Sequence, residues 1–345
     1  MGDPCGIGPE IVAAQWLGPQ PPHAIVVGDA AVMTRAIEAL ARVRPEAARL
    51  KVLHHEGAWP GAQAMGGEPE APCGCIHVPV WSPPGLPEGL AQLPWGQVDA
   101  RAGRAAAVCV RAAAQAVMAG QAAAMVTAPL HKEALSAAGE PFPGHTELLQ
   151  ALATPSGQPL VPVRMMLANH ELKTVLVSIH ISLRQALEAV TFANVLQTIE
   201  ITHRSLVRMG VAQPRIAVAG LNPHAGEGGL FGSEEVDTIA PAIAAARAQG
   251  IDATGPHAPD TVFMRARHAD DHPGEFDVVV AMYHDQGLIP VKYLGVAHGV
   301  NVTLGLPLVR TSPDHGTAFD LAGKGIADAS SMAEAMAVAQ QLAGV

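Results

Sequence analysis

The sequence predicts an α/β fold with mostly parallel strands, and three observations predict it. Strand-like runs alternate with helical ones along nearly the whole chain, the pattern that covers both faces of a sheet with helices. FDVVV (276–280) is almost continuously apolar and β-branched, as a strand buried on both faces requires. The 345 residues are 49% apolar and 15% charged, which suits two α/β domains of ordinary size.

In chain order, AIVVGD (24–29) reads as a strand feeding a helix over 30–43. CIHVPV (75–80) is the next strand, inside a Pro/Gly-rich segment, 56–96, that reads as loops rather than a linker. An Ala-rich helix over about 97–119 leads to the strand AAAMVT (122–127). MMLA (165–168) and TVLVSI (174–179) are strands, two helices cover 182–209, and RIAVAG (215–220) is a strand. Ser233 opens a helix over 233–248, with Glu234 and Glu235 in its first turn, where carboxylates suit the helix dipole. VVVAMY follows, then LIPVK (288–292) as an extended run, and a last helix over 331–343. No internal repeat interrupts this order.

Composition excludes several classes of function. A formal charge of −10 argues against a nucleic-acid surface, which needs clustered Lys and Arg. No uninterrupted apolar run reaches the roughly 20 residues of a membrane span. The Ala-rich stretch 105–130 comes nearest but carries Arg111, Gln115 and Gln121. No export signal is visible, so a cytoplasmic enzyme is expected. The four cysteines, Cys5, Cys73, Cys75 and Cys109, form no zinc-knuckle spacing and are expected to be free thiols.

Chemistry concentrates where strands end. In AMYHDQG (281–287) a core strand runs into His284, with Asp285 beside it and Gly287 allowing a tight exit. The ending recurs: His180 lies just past TVLVSI, and His224 four residues past RIAVAG. Ligands of open α/β sheets gather outside the carboxyl ends of strands. Three neutral imidazoles there, with an open position left over, make the ligand set of a catalytic divalent cation, zinc first among the candidates. With 16 histidines, single strand-end coincidences are expected, and His23, His54, His203 and His268 lack the placement and should be surface residues.

Three further features bear on ligands. GEGGLFG (226–232) follows a strand and precedes a helix, but its spacing is not the dinucleotide fingerprint; it reads as an anion cradle or an ordinary turn. Beyond residue 250 the only Lys and Arg are Arg265, Arg267, Lys292, Arg310 and Lys324, of which Lys292 and Arg310 could hold an anionic group. PGHTELL (143–149) brings His145 and Thr146 to a helix start, where a phosphate or carboxylate would find donors.

GDPCGIGPE (2–10), PGHTELL, GLNPHAGEGGLFGSEE (220–235), AMYHDQG and GVNVTLGLPLVRTSPDHGTAFDLAGKG (299–325) together strongly resemble the 4-hydroxythreonine-4-phosphate dehydrogenase family of vitamin B6 biosynthesis. The motifs are colinear with the family's from the first residues to about 325. Two departures stand out. The family usually has a short strand before the first motif, whereas this chain begins at Met1-Gly2, so either the recorded start is late or an inner strand is missing; and Cys5 replaces a small residue.

The resemblance implies an isocitrate/isopropylmalate dehydrogenase-like architecture: two α/β domains with a cleft between them. The first would comprise 1–127 plus 303–345, and the second 128–302, with most metal and dimer-interface residues. It implies NAD- or NADP-dependent oxidation of 4-phosphohydroxy-L-threonine, followed by decarboxylation, with one divalent metal per site (zinc, magnesium or cobalt). By position the metal ligands fall on His180, His224 and His284, the third from the partner subunit of a homodimer with a shared active site. Substrate contacts fall on His145, Thr146, Lys292, Asn301 and Arg310. Asp260 and Asp285 are candidates for orienting a ligand or relaying a proton. A relative acting on a phosphorylated sugar acid or a cyclic dihydrodiol carboxylate is the alternative, and a non-redox metal hydrolase the remote one.

Overall fold

The computed structural model describes residues 1–61, 74–270, 272–295 and 299–344. They form a mixed α/β fold dividing into two compact units, Met1–Val161 with Arg310–Ala339 and Pro162–Val309 with Gln340–Val345. The unit boundaries fall after 161 and 309, and the sequence-based division after 127 and 302.

The first unit begins with α1 (Gly8–Ala13), β1 (Val26–Val27), α2 (Ala30–Ala41), β2 (Leu50–Glu56) and β3 (Ile76–Ser82). It continues with α3 (Ala100–Met118), β4 (Met125–Val126), α4 (Lys132–Ala137) and α5 (His145–Ala153). Both long helices start where an aspartate can cap them: Asp29 accepts the Val32 amide at 2.8 Å, and Asp99 the Arg101 amide at 2.7 Å. Strands β1, β3 and β2 lie side by side in that order, all parallel, over a core of Met33, Leu40, Leu50, Val78 and Val80.

The second unit holds β5 (Arg164–Ala168), β6 (Lys173–Leu176), α6 (Leu183–Ala189), α7 (Phe192–Arg208) and β7 (Ile216–Ala219). Then come α8 (Ala240–Ala248), β8 (Ala253–His257), α9 (Val262–Ala266), β9 (Val278–Ala281), α10 (His284–Tyr293) and β10 (Val300–Leu304). The chain returns to the first unit with β11 (Arg310–Pro313), parallel to β4, and most of α11 (Ser330–Ala343). The second unit's strand order is β10-β5-β6-β9-β7-β8. Strands β6, β9, β7 and β8 are mutually parallel, whereas β5 is antiparallel to both β6 and β10. The sheet is therefore mixed, because the short turn at Asn169–Leu172 returns the chain directly against β5.

LIPVK is helical, not extended: it lies inside α10 despite Pro290. Gly287 and Leu288, with Val291 one helical turn on, are buried against β6 and β9, and that packing outweighs the proline's bias against helix. The helix expected over 233–248 forms from Glu234, with Glu235–Ile239 wound as a π turn before α8. Cys5 and Cys109 are buried free thiols, pushed up to about 12 and about 11 by burial. Cys73 lies outside the described residues. No helix among the described residues is long and apolar enough to cross a membrane.

Gly103 in α3 lets α4 approach so closely that a Cβ there would sit 2.0 Å from the Ala134 carbonyl oxygen. A mid-helix Gly→Ala change normally stabilises by about 1 kcal/mol. Here the sign should reverse: G103A should lose about 1–3 kcal/mol by overpacking, read as a lower urea midpoint at unchanged slope.

Candidate active site

Strands β6, β9 and β7 are neighbours and parallel, so their chains leave the sheet at one edge. With strands about 4.8 Å apart, the outer two of the three exits are separated by about 10 Å. His180, His284 and His224 sit in those exits. The His180 and His284 rings are brought together, with centroids 5.5 Å apart and planes tilted by 47°. His284 Nδ1 lies 2.7 Å from Asp285 Oδ1. An ionised carboxylate only accepts, so this bond puts the ring proton on Nδ1 and leaves Nε2 as the lone-pair nitrogen. His224 is exposed; its Nδ1 lies 3.9 Å from Asp260 Oδ2, and its ring 6.4 Å from that of Phe231. Among the described residues of one chain, no three His, Cys, Asp or Glu side chains gather closely enough to hold a metal ion.

Polar side chains tie the three exits together. Ser178 donates to the Met282 carbonyl (3.1 Å), linking the ends of β6 and β9. Gln286 accepts the Met282 amide and donates to the Gly220 carbonyl, both at 2.7 Å, linking β9 to β7. The His224 loop itself is left-handed for five residues running, His224 to Gly228, with φ between 44° and 76°. For the non-glycines His224, Ala225 and Glu227 this conformation costs roughly 1–2 kcal/mol each, so something must hold it.

The holder is Glu235, which is 2% exposed. Its Oε1 accepts the amides of Leu221 and Asn222 at 2.7 Å, and its Oε2 accepts Asn222 Nδ2 at 3.0 Å. Glu235 thus folds back into the loop instead of serving the helix dipole. The chain's own carboxylate takes the amide donors ahead of the glycines, those of Leu221 and Asn222.

The remaining candidates divide between the units. Lys292 lies in the last turn of α10, about 12 Å along the helix from His284. Asn301 lies in β10, paired in register with Leu167. In the first unit His145 and Thr146 begin α5, and Arg310 begins β11. Arg310 is buried and donates through Nε (3.1 Å) and Nη2 (2.7 Å) to Thr127 Oγ1. Burial lowers its pKa to about 10, so the guanidinium stays charged at neutral pH. Burial, and then the Arg310 charge, hold the His145 imidazole well below its usual range, hence neutral. Of the other late cations, Arg265 pairs with Glu275 and Arg267 with Glu171.

Among the other histidines, His23 and His54 are exposed as expected, but His203 and His268 are half-buried. His268 Nε2 bonds the Phe276 carbonyl oxygen (3.1 Å), which explains its burial. His257 is a strand-end histidine that the sequence reading passed over. Thr254 and Arg265 occupy its two nitrogens at 2.9 and 3.3 Å, so its role is structural. Gln286 and Glu235 are absent from the sequence candidates because most of their partners are backbone atoms, which leave no pattern in sequence.

Comparison with known proteins adds the lineage. The model of the family described as pyridoxal phosphate biosynthetic protein PdxA matches residues 20–339. The chain belongs to this family. It is 51% identical over 344 residues to 4-hydroxythreonine-4-phosphate dehydrogenase of Beijerinckia indica subsp. indica, covering 99% of this chain and 93% of that one. It is 44% identical over 349 residues to D-threonate 4-phosphate dehydrogenase of Salmonella typhimurium, covering 99% and 97%. The crystal structure of 4-hydroxythreonine-4-phosphate dehydrogenase from Klebsiella pneumoniae superposes with a TM-score of 0.83 at 43% identity, covering 99% and 96%.

The half-buried, neutral His145 imidazole makes a prediction. A histidine whose folded pKa lies below its unfolded value denies the native state a proton that the unfolded chain binds. Stability is therefore lost as pH falls through about 6.5 toward the depressed value. Between pH 7.5 and 5.5 the wild-type melting temperature should drop more than that of H145Q. Equal drops would show that His145 is not held neutral.

Proposed function

We propose that the protein oxidises 4-phosphohydroxy-L-threonine with NAD or NADP to 2-amino-3-oxo-4-phosphooxybutanoate, which loses carbon dioxide to give 3-amino-2-oxopropyl phosphate. The architecture proposed for it is the isocitrate/isopropylmalate dehydrogenase-like one, and the working form is a homodimer in the cytoplasm. The observation that carries the reading is the pair of imidazoles, 5.5 Å apart, at the exits of adjacent parallel strands. The similarity to a 4-hydroxythreonine-4-phosphate dehydrogenase over 99% of the chain supports it.

His180, His224 and His284 would hold one divalent cation, with zinc, magnesium and cobalt as candidates. Neutral imidazoles suit the borderline zinc and cobalt ions better than the hard magnesium ion, and the Asp285 bond fixes the tautomer that leaves His284 Nε2 free. When bound, the cation makes the substrate alcohol more acidic and the nicotinamide ring accepts its hydride. His145, Thr146, Lys292, Asn301 and Arg310 would bind and orient the substrate, with the charged Arg310 facing its phosphate or carboxylate. Asp260, exposed and beside His224, is placed to orient that ring or to take a proton. No residue is assigned to the dinucleotide.

In the proposed dimer the third metal ligand comes from the partner subunit. Exposed apolar residues flank His180, with Ile179 37%, Ile181 46% and Leu183 60% exposed, which supports pairing of this face. The closeness of His180 to His284 within one chain favours instead a site that does not exchange its ligand, and mixed dimers separate the two arrangements. H180A and H284A should each be inactive alone. Refolded together at equal amounts, they should regain about a quarter of wild-type activity if the ligand is exchanged, since half the dimers then carry one intact site. A one-chain site regains nothing.

D-threonate 4-phosphate is the second substrate to test, because a relative named for it is 44% identical over 99% of the chain. NAD(P)H absorbance with each substrate, with and without chelator, reads the function. Turnover of 4-phosphohydroxy-L-threonine that a chelator abolishes is expected. Turnover only of threonate 4-phosphate reassigns the substrate, and turnover undiminished by chelator removes the metal.

A further inference from the structure

The loop after β7 poses a physical problem that the proposed chemistry does not answer. Five consecutive residues, His224 to Gly228, hold left-handed dihedrals. The loop also closes on itself: a Cβ at Gly220 would meet Ala225 Cα at 2.8 Å, and one at Gly226 would meet Glu235 Oε2 at 2.6 Å. Such a turn persists only where its surroundings over-determine it. Glu235 supplies the determination with two amide bonds at 2.7 Å, while Asn222 Nδ2 reaches both Glu235 Oε2 (3.0 Å) and Glu234 Oε2 (2.7 Å). Burial pushes the Glu235 carboxyl up, but the Asn222 side-chain bond and the backbone amide bonds outweigh it and keep the group below its usual range.

We propose that Glu235 is a positioning residue for His224: its buried carboxylate locks the left-handed turn that presents the imidazole at the strand-end rim. Three and two residues before His224, the chain is tethered by the Leu221 and Asn222 amides, and behind it the Phe231 amide bonds the Gly226 carbonyl at 3.1 Å. Removing the tether frees the backbone of the turn while leaving the imidazole itself untouched. The consequence for metal affinity rests on the reading of His224 as a ligand, whereas the consequence for the loop does not.

E235Q keeps the side-chain volume but replaces an acceptor oxygen facing Asn222 Nδ2 with a second donor. Circular dichroism and the melting temperature establish that the variant is folded. Hydrogen exchange of the segment 220–232 in metal-stripped protein should accelerate at least tenfold, with exchange of β9 unchanged. Co²⁺ affinity, followed by the visible absorption of the bound ion, should fall by about 10- to 100-fold, the usual effect of losing a group that orients a ligand. Unchanged exchange together with unchanged Co²⁺ affinity overturns the proposal. If the wild type binds no Co²⁺ while exchange in E235Q accelerates, the lock stands and the ligand reading of His224 falls. Should E235Q not fold, N222A removes the side-chain half of the same lock, and accelerated exchange over 220–232 is again the expected result; unchanged exchange overturns it.

Discussion

The adjacency of β6, β9 and β7 is the constraint on which the candidate chemistry depends. Three parallel strands in consecutive positions must release their chains at one edge, within about 10 Å of one another. Within one chain this brings the His180 and His284 rings together, whereas His224 stands exposed beside Asp260. The fully buried strand VVVA lies in the middle, and its packing holds the other two in register. Crossovers alone would leave the exits loose. Ser178 and Gln286 remove that freedom by bonding one exit's backbone to the next, each bond worth about 1 kcal/mol net.

Each unit also spends one buried carboxylate on a glycine-rich loop. In the first unit Glu10, 1% exposed, accepts the amides of Gly323 (2.5 Å) and Gly325 (2.7 Å). In the second unit Glu235 does the same for Leu221 and Asn222. The balance of forces differs. For Glu10 burial wins over its two amide bonds and the pKa is raised, whereas for Glu235 the added side-chain donor turns the shift downward. A loop amide that already bonds an internal carboxylate is not free to bind an external anion. The glycines of these loops combine close packing with positive φ.

Much of this was legible in the sequence, for reasons that can be named. Strand-end histidines are visible because buried β-branched runs end abruptly, and the order of elements largely determines which strands are parallel. The strand LKVLHHE escaped notice because β2 is half-exposed and carries two histidines and a lysine where an apolar face would advertise it. α10 was misread because proline in a helix is costly in isolation, and only the contact of Gly287 with Leu176 and Ala281 reveals why it is tolerated. Glu235 looked like a helix-start carboxylate. Its true partners are backbone amides of residues 221 and 222, a relation that no spacing rule encodes.

The acidic balance of the chain, 31 Asp and Glu against 21 Lys and Arg, is no obstacle to the proposed phosphorylated substrate. Surface carboxylates act through water, where salt screens them beyond about 8 Å. Arg310 acts from a buried position, where screening is weaker, and it remains charged because its pKa stays near 10. The neighbouring His145 is held neutral by burial and by that same guanidinium, so it can donate a hydrogen bond through one ring nitrogen and accept through the other. A protonated histidine would add attraction but lose the acceptor. In the proposed site the pairing would separate two tasks, with charge supplied by arginine and direction by imidazole. It would also keep the attraction for an anion constant over the pH range in which a free histidine would titrate.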